Sequence, residues 1–526
     1  MPALPVTTPA QVRLALLARR EIALIDLREE NPFAKAHPLF AACLPLSRLE
    51  LEAPYRLPRK DAPIVLYDDG EDLTERGADR LQALGYTQVS ELEGGLGAWR
   101  AAGYELFQDV NSYAKAFGEL VEQRRHTPSF AAQELDALLK AKADLVVLDA
   151  RRWDEYQTMN IPTGVSVPGA ELVLRARELA PDPATTIVVN CAGRTRSIIG
   201  AQSLINAGLP NPIAALRNGA IGWTLAGLAL EHGQDRRFPD RIPETLAESR
   251  ERARAVAYRA GVLRITPAEL SQVAGDQTRT LYHFDVRTPE EYARGHIPGF
   301  RSAPGGQLVQ EIDMFAPVRG ARIVLADDLG PRADMTASWL AQMGWEALVL
   351  DGGFDGVLEA GDWRPPCPPL PEVAAVTATA LAQAIERDEV SVIDLAPSPA
   401  FRKGHVPGAW FAIRAELAKA RRDLPTDRPL VLTSPDGALA RLAAADLDPA
   451  DQARVRVLAG GTDAWKAAGF PLETGFERAA SPPEDVYRRP YEGADHAAAA
   501  KQAYLDWEFS LVAQLERDAS HGFFVI

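Results

Sequence analysis

Four times along the chain a short, almost wholly apolar run is followed by a stretch in which apolar residues return every three or four positions. The runs IVLY, IVVN, IVLA and LVLT begin at Ile64, Ile187, Ile323 and Leu430. Runs of this length and β-branched content predict strands buried on both faces, and the stretches behind them predict amphipathic helices. In the first three copies the strand starts and the glycines that end the helix, Gly85, Gly208 and Gly344, stand at the same offset. The fourth copy aligns less closely toward its end.

Each copy is preceded by a strand ending in aspartate: ALID to Asp26, VVLD to Asp149, YHFD to Asp285 and SVID to Asp394. Each is followed by a glycine turn and a further predicted helix, in LEGGLGAWR, LRNGAIGWT, LDGGFDGVL and LAGGTDAWK, with Trp99, Trp223 and Trp465 in register. Strands alternating with helical segments predict βα units around a parallel sheet, so the fold class is α/β throughout. The domains read as 1–112, 127–238, 262–367 and 373–478. Residues 239–261 form a charged connecting helix, and 479–526 form a C-terminal helical tail.

Length supports this division, because 526 residues exceed one ordinary core. The net charge of −15 opposes general attraction to nucleic acid or to an anionic membrane. Charges interrupt every apolar stretch near the start, and no run has the length of a membrane span, so a cytoplasmic location is expected.

The three cysteines, Cys43, Cys191 and Cys367, cannot build a disulfide framework and lack zinc-site spacing, which fits a reducing compartment. Cys43 in FAACLPLS reads as a small buried apolar residue, and Cys367 among prolines reads as an exposed linker thiol. Cys191 differs because of where it lies. In NCAGRTRSIIGAQ it follows directly on a strand and leads through a loop into a helix, the place where parallel α/β sheets bind ligands. Backbone N–H groups of Ala192, Gly193, Arg194, Thr195, Arg196 and Ser197, with the helix dipole behind them, are expected to favour an anion and lower the thiol pKa. Arg194 and Arg196 add positive charge for an anionic donor, and Thr195 and Ser197 add hydroxyls.

The repeated Asp-x-Arg turn, the strings GHIPG (295–299) and GHVPGA (404–409) and the loop CAGRTRS together resemble the rhodanese family. The resemblance covers nearly all of residues 8–478. It implies four tandem domains, each a parallel sheet of about five strands flanked by helices, and persulfide-based sulfur transfer. Thiosulfate or a similar small anion would be the donor, and cyanide or a thiol, possibly a protein thiol, the acceptor. The second domain departs from the pattern with MNIPTG in place of GHIPG. At the Cys191 position the other domains carry Asp68, Asp327 and, by the looser alignment, Ser434, so they are read as inactive. No cofactor or metal is called for.

Three rival readings bear on Cys191. A cysteine phosphatase needs an arginine six positions after the cysteine, where Ser197 stands. A non-catalytic scaffold would account for three domains without the thiol, and a relay carrier would pass sulfur to another protein. Asp149 and Arg151 are read as bracing the sheet edge, and the tryptophans as core.

Overall fold

The computed structural model describes residues 4–422, 424–425, 428–490, 492 and 497–526. It contains four five-stranded sheets with the same strand order, first–fifth–fourth–second–third in each. All their strand pairings are parallel. The predicted α/β class with four repeated sheets and a C-terminal helix, Ala498–Asp518, is what the chain adopts. The four runs that opened the sequence pattern are the central strands: Ile64–Tyr67, Thr186–Asn190, Arg322–Ala326 and Leu430–Thr433. Having neighbours on both edges and helices on both faces, they are almost wholly buried, which is why they read as continuous apolar runs.

The aspartate ending the second strand is pinned, in the first three sheets, by the arginine two residues on. Arg28, Arg151 and Arg287 pair with Asp26, Asp149 and Asp285, and each also reaches a carbonyl in the next turn, Ala36, Met159 or Gly295. In the fourth domain Ala396 takes the arginine's place, and Asp394 accepts the Ala396 N–H and the Thr462 hydroxyl instead. The turn beyond it survives the loss of histidine in the second domain. His37, Asn160, His296 and His405 all donate their backbone N–H to a strand-like return, at Phe107, Glu231, Glu359 and Glu473.

The third domain corrects one expectation. LDGGFDGVL forms no helix, whereas its counterparts form Gly95–Ala101, Gly219–Leu225 and Gly461–Ala467. Those three are anchored by Trp99, Trp223 and Trp465, whose indole N–H groups donate to the carbonyls of Glu105, Ala229 and Pro471. Val357 stands where that tryptophan would be, and it and Leu358 are left exposed.

The domains interlock. Gly169 and Gly306 bring the second and third so close that a Cβ on Gly306 would lie 3.0 Å from the Gly169 nitrogen. The fully buried Arg332 pairs with Asp327 and Asp328 of its own loop, with Glu291, and across the interface with Glu171. The first and fourth domains share Arg414, held by Glu50 and Asp446. The helix Ser112–Arg125, between the first and second domains, packs against both the helix Thr195–Asn206 and the C-terminal helix. None of the helices among the described residues is long and apolar enough to cross a membrane.

Removing one partner of a buried ion network leaves uncompensated charge, at about 3–5 kcal/mol. Arg332→Ala should therefore lower the unfolding free energy by about that amount in a denaturant titration.

Candidate active site

Cys191 sits immediately beyond the central strand Thr186–Asn190, and the helix Thr195–Asn206 begins four residues later. The loop between them keeps its carbonyls turned away. The Cys191 carbonyl accepts from the Ala220 N–H at 2.9 Å, and that of Ala192 accepts from Ile221 at 3.0 Å. The Arg194 carbonyl is taken by the Ser197 hydroxyl at 2.8 Å and the Ile198 N–H. Gly219 permits the first two of these bonds. Its φ of +51° is left-handed, and a Cβ there would collide with the Cys191 carbonyl and lie 2.6 Å from that of Gly193. Below the loop, Asn190 donates to Asp149 at 3.0 Å, tying it to the strand-end clamp.

The sister loops reveal what such a backbone does with an anion. In the first domain Asp68 accepts the N–H of Gly70 at 2.9 Å and of Leu73 at 2.6 Å. In the third, Asp327 accepts from Leu329 at 3.1 Å, Arg332 at 2.9 Å and Ala333 at 3.3 Å. In the fourth, the Ser434 hydroxyl oxygen accepts from Ala440 at 3.3 Å. At the offset that equates Asp68 and Asp327 with Cys191, the donors common to the first and third loops fall on Gly193 and Arg196, and the third loop adds Ser197. In two sister loops of the same chain, carboxylate oxygens thus stand at the position of the Cys191 side chain and are held by loop N–H groups.

The two loop arginines part company. The Arg194 guanidinium turns away into an ion pair with Glu119 at 2.7 Å, a second contact with Glu122, a hydrogen bond to Asn218 at 3.0 Å and the face of Phe509. Arg196 forms a two-pronged pair with Glu155 at 2.7 and 2.8 Å. Burial alone would raise the Glu155 carboxyl, but Arg196 and its neighbours bring it down to about 2. Glu291 and Arg332 repeat the same pair in the third domain. Thr195 faces Gly118 of the helix Ser112–Arg125, where a Cβ would come within 2.9 Å of the threonine methyl.

One expectation is reversed. Burial pushes the Cys191 thiol up, against Arg196 and the hydrogen bonds of Ser197 that favour its ionised form, and Glu508 adds to the rise. The cause is a roof that loop chemistry alone does not foretell. The C-terminal helix lays Tyr504, Leu505 and Glu508 over Ala192, Gly193 and Ile221, leaving Cys191 only 2% exposed. Cys43 is buried, with its Sγ 3.6 Å from the Arg28 carbonyl oxygen, and Cys367 is exposed.

A model of the rhodanese-like domain matches residues 8–102, 131–226, 266–360 and 377–468. The chain belongs to the rhodanese-like domain family. Its four-rhodanese arrangement is similar to the crystal structure of a thiosulfate sulfurtransferase from Pseudomonas aeruginosa, at 58% identity, with a TM-score of 0.97 and coverage of 99% of this chain and 100% of that one. Curated relatives match over 80 to 108 residues. An uncharacterized protein of Synechocystis is 34% identical over 92 residues, 17% of this chain and 50% of its own length. The YqhL protein of Bacillus subtilis is 36% identical over 80 residues, 15% of this chain and 62% of its own. The chain thus spans about half the length of the first and under two thirds of the second.

Gly219→Ala should break the Cys191 loop through its carbonyls, costing at least about 2 kcal/mol. Gly227→Ala provides the comparison: its φ is +74° but a Cβ there meets open space, so only the about 1 kcal/mol of backbone strain applies. Parallel melts of the two variants measure the difference.

Proposed function

We propose that the chain is a thiosulfate sulfurtransferase in which Cys191 of the second rhodanese domain carries the sulfur. The observation that carries this reading is the set of loop N–H groups that hold carboxylates in the sister domains, whose counterparts here are Gly193, Arg196 and Ser197, with Ser197 hydrogen-bonded to the Cys191 thiol. The likeness to the Pseudomonas aeruginosa enzyme over the whole chain adds the donor, thiosulfate.

In the first step the Cys191 thiolate attacks the outer sulfur of thiosulfate. A Cys191–sulfur bond forms, the donor's S–S bond breaks, and its electron pair leaves on sulfite. The N–H groups of Gly193, Arg196 and Ser197 hold the resulting persulfide anion as their counterparts hold Asp68 and Asp327. In the second step cyanide or a thiolate, free or on a protein, attacks the terminal sulfur and returns Cys191 as thiolate. The positive charge of Arg196 acts on the sulfur, while the side chain of Arg194 serves the packing of the loop. Ala192 and Thr195 contribute backbone to the same loop.

Neither a carboxylate nor a serine hydroxyl can carry a sulfane sulfur, so the first, third and fourth domains are inactive in this chemistry and act through packing. A free catalytic thiol without a partner cysteine suits the reducing cytoplasm.

Intact-mass measurement after exposure to thiosulfate should register the gain of one sulfur atom, and cyanide should remove it. Cys191→Ser should take up none. Equal sulfur uptake by that variant would sink the assignment and leave the chain as a scaffold or a carrier through another thiol.

A further inference from the structure

The carboxyl of Glu508 is 1% exposed, and it lies on the C-terminal helix, more than three hundred residues along the chain from the loop it covers. One oxygen accepts the Tyr504 hydroxyl at 2.9 Å. The other, Oε2, has no hydrogen-bond partner among the described residues and lies 3.4 Å from where a Cβ on Gly193 would stand. A buried carboxyl oxygen without a partner is costly for a purely structural residue. Here it faces the loop that holds the sulfur.

We infer that Glu508 belongs to the Cys191 site as a positioning residue: in its protonated form it leaves the sulfur anion and an anionic donor unopposed, and in its ionised form it sets a negative charge against both. This rests on the reading of Cys191 as the sulfur carrier.

The surroundings of Glu508 decide its charge. From the helix Ser112–Arg125 it faces Glu119, which is paired with Arg194, and Lys115, which is paired with Asp109 at 2.8 Å and lies near the rings of Tyr504 and Trp507. From the loop it feels Arg194 and Cys191, and on its own helix Tyr504. The helix Gly219–Leu225, the other element packed here, carries no titratable side chain. Burial, reinforced by Glu119, raises the carboxyl to about 8 against the pull of Lys115, Tyr504 and Arg194. As a raised acid it is neutral below that pH and charged above it. Sulfur uptake from a dianion is therefore opposed as pH rises, although thiol ionisation by itself favours uptake over the same interval.

The test is the rate of persulfide formation from thiosulfate in full-length protein, compared between wild type and Glu508→Gln from pH 6.5 to 9. Glutamine mimics the neutral acid, so the ratio of variant to wild type should stay near one at the low end. It should climb to about tenfold a pH unit above the midpoint, following the fraction ionised. Tyr504→Phe removes a bond that holds Glu508 down, so the climb of that ratio, measured in a Tyr504→Phe background, should move to higher pH. A ratio that stays flat across the range overturns the inference, as does a Tyr504→Phe profile that fails to shift.

A separate readout needs no turnover. Thiolate absorbance near 240 nm, after subtraction of Cys191→Ser, should titrate at lower pH in Glu508→Gln than in wild type. If wild type takes no sulfur from thiosulfate yet this shift is seen, the donor assignment fails and the role of Glu508 stands. If sulfur is taken up but neither the ratio nor the absorbance midpoint changes, Glu508 fails alone.

Discussion

The second domain depends on one arrangement of backbone: a loop whose carbonyls at Cys191, Ala192 and Arg194 are taken by other donors, which leaves its N–H groups for the atom at its centre. Amides directed at one point make a concentrated positive field, and something must answer it. In the first and third domains a carboxylate does so, in the fourth a hydroxyl oxygen. In the second the centre is a thiol, neutral or ionised, and the field acts on a changeable charge. The helices Gly95–Ala101, Gly219–Leu225 and Gly461–Ala467 are what keep the carbonyls out, since their first N–H groups bind Asp68, Cys191 and Ser434.

The third domain lacks that helix and keeps its loop in another way. Arg332 reaches Asp327 from the side while also binding Glu291 and Glu171, so the stabilising charge comes from a buried ion network. Its counterpart Arg196 repeats the glutamate part of this set, with Glu155, and stays close enough to the thiol to favour its ionised form. One residue type at one offset thus serves cohesion between domains in one copy and the electrostatics of the sulfur in the other.

Much of this was legible in the chain. Continuous β-branched runs marked the central strands because both faces of such strands are covered, and the position of Cys191 after one of them followed from that alone. Legibility ended where contacts cross the sequence. The spacing of CAGRTRS assigned both arginines to the donor, but Glu119 and Phe509, which draw Arg194 aside, sit on helices far away in the chain. The expected lowering of the thiol pKa failed for the same reason: loop amides and a helix dipole are local, while the burial that outweighs them comes from the last helix. Glu155 left a fainter trace, since Glu291 repeats it at the offset that also relates Arg196 to Arg332.

The roof over Cys191 has an implication for biosynthesis. Synthesis runs from the amino to the carboxyl end, so Tyr504 and Glu508 are added more than three hundred residues after Cys191. The second domain therefore emerges and can fold long before the piece that completes its surroundings exists. During that interval the thiol stands uncovered, and it acquires its finished environment only once the helix Ala498–Asp518 has been made and docks.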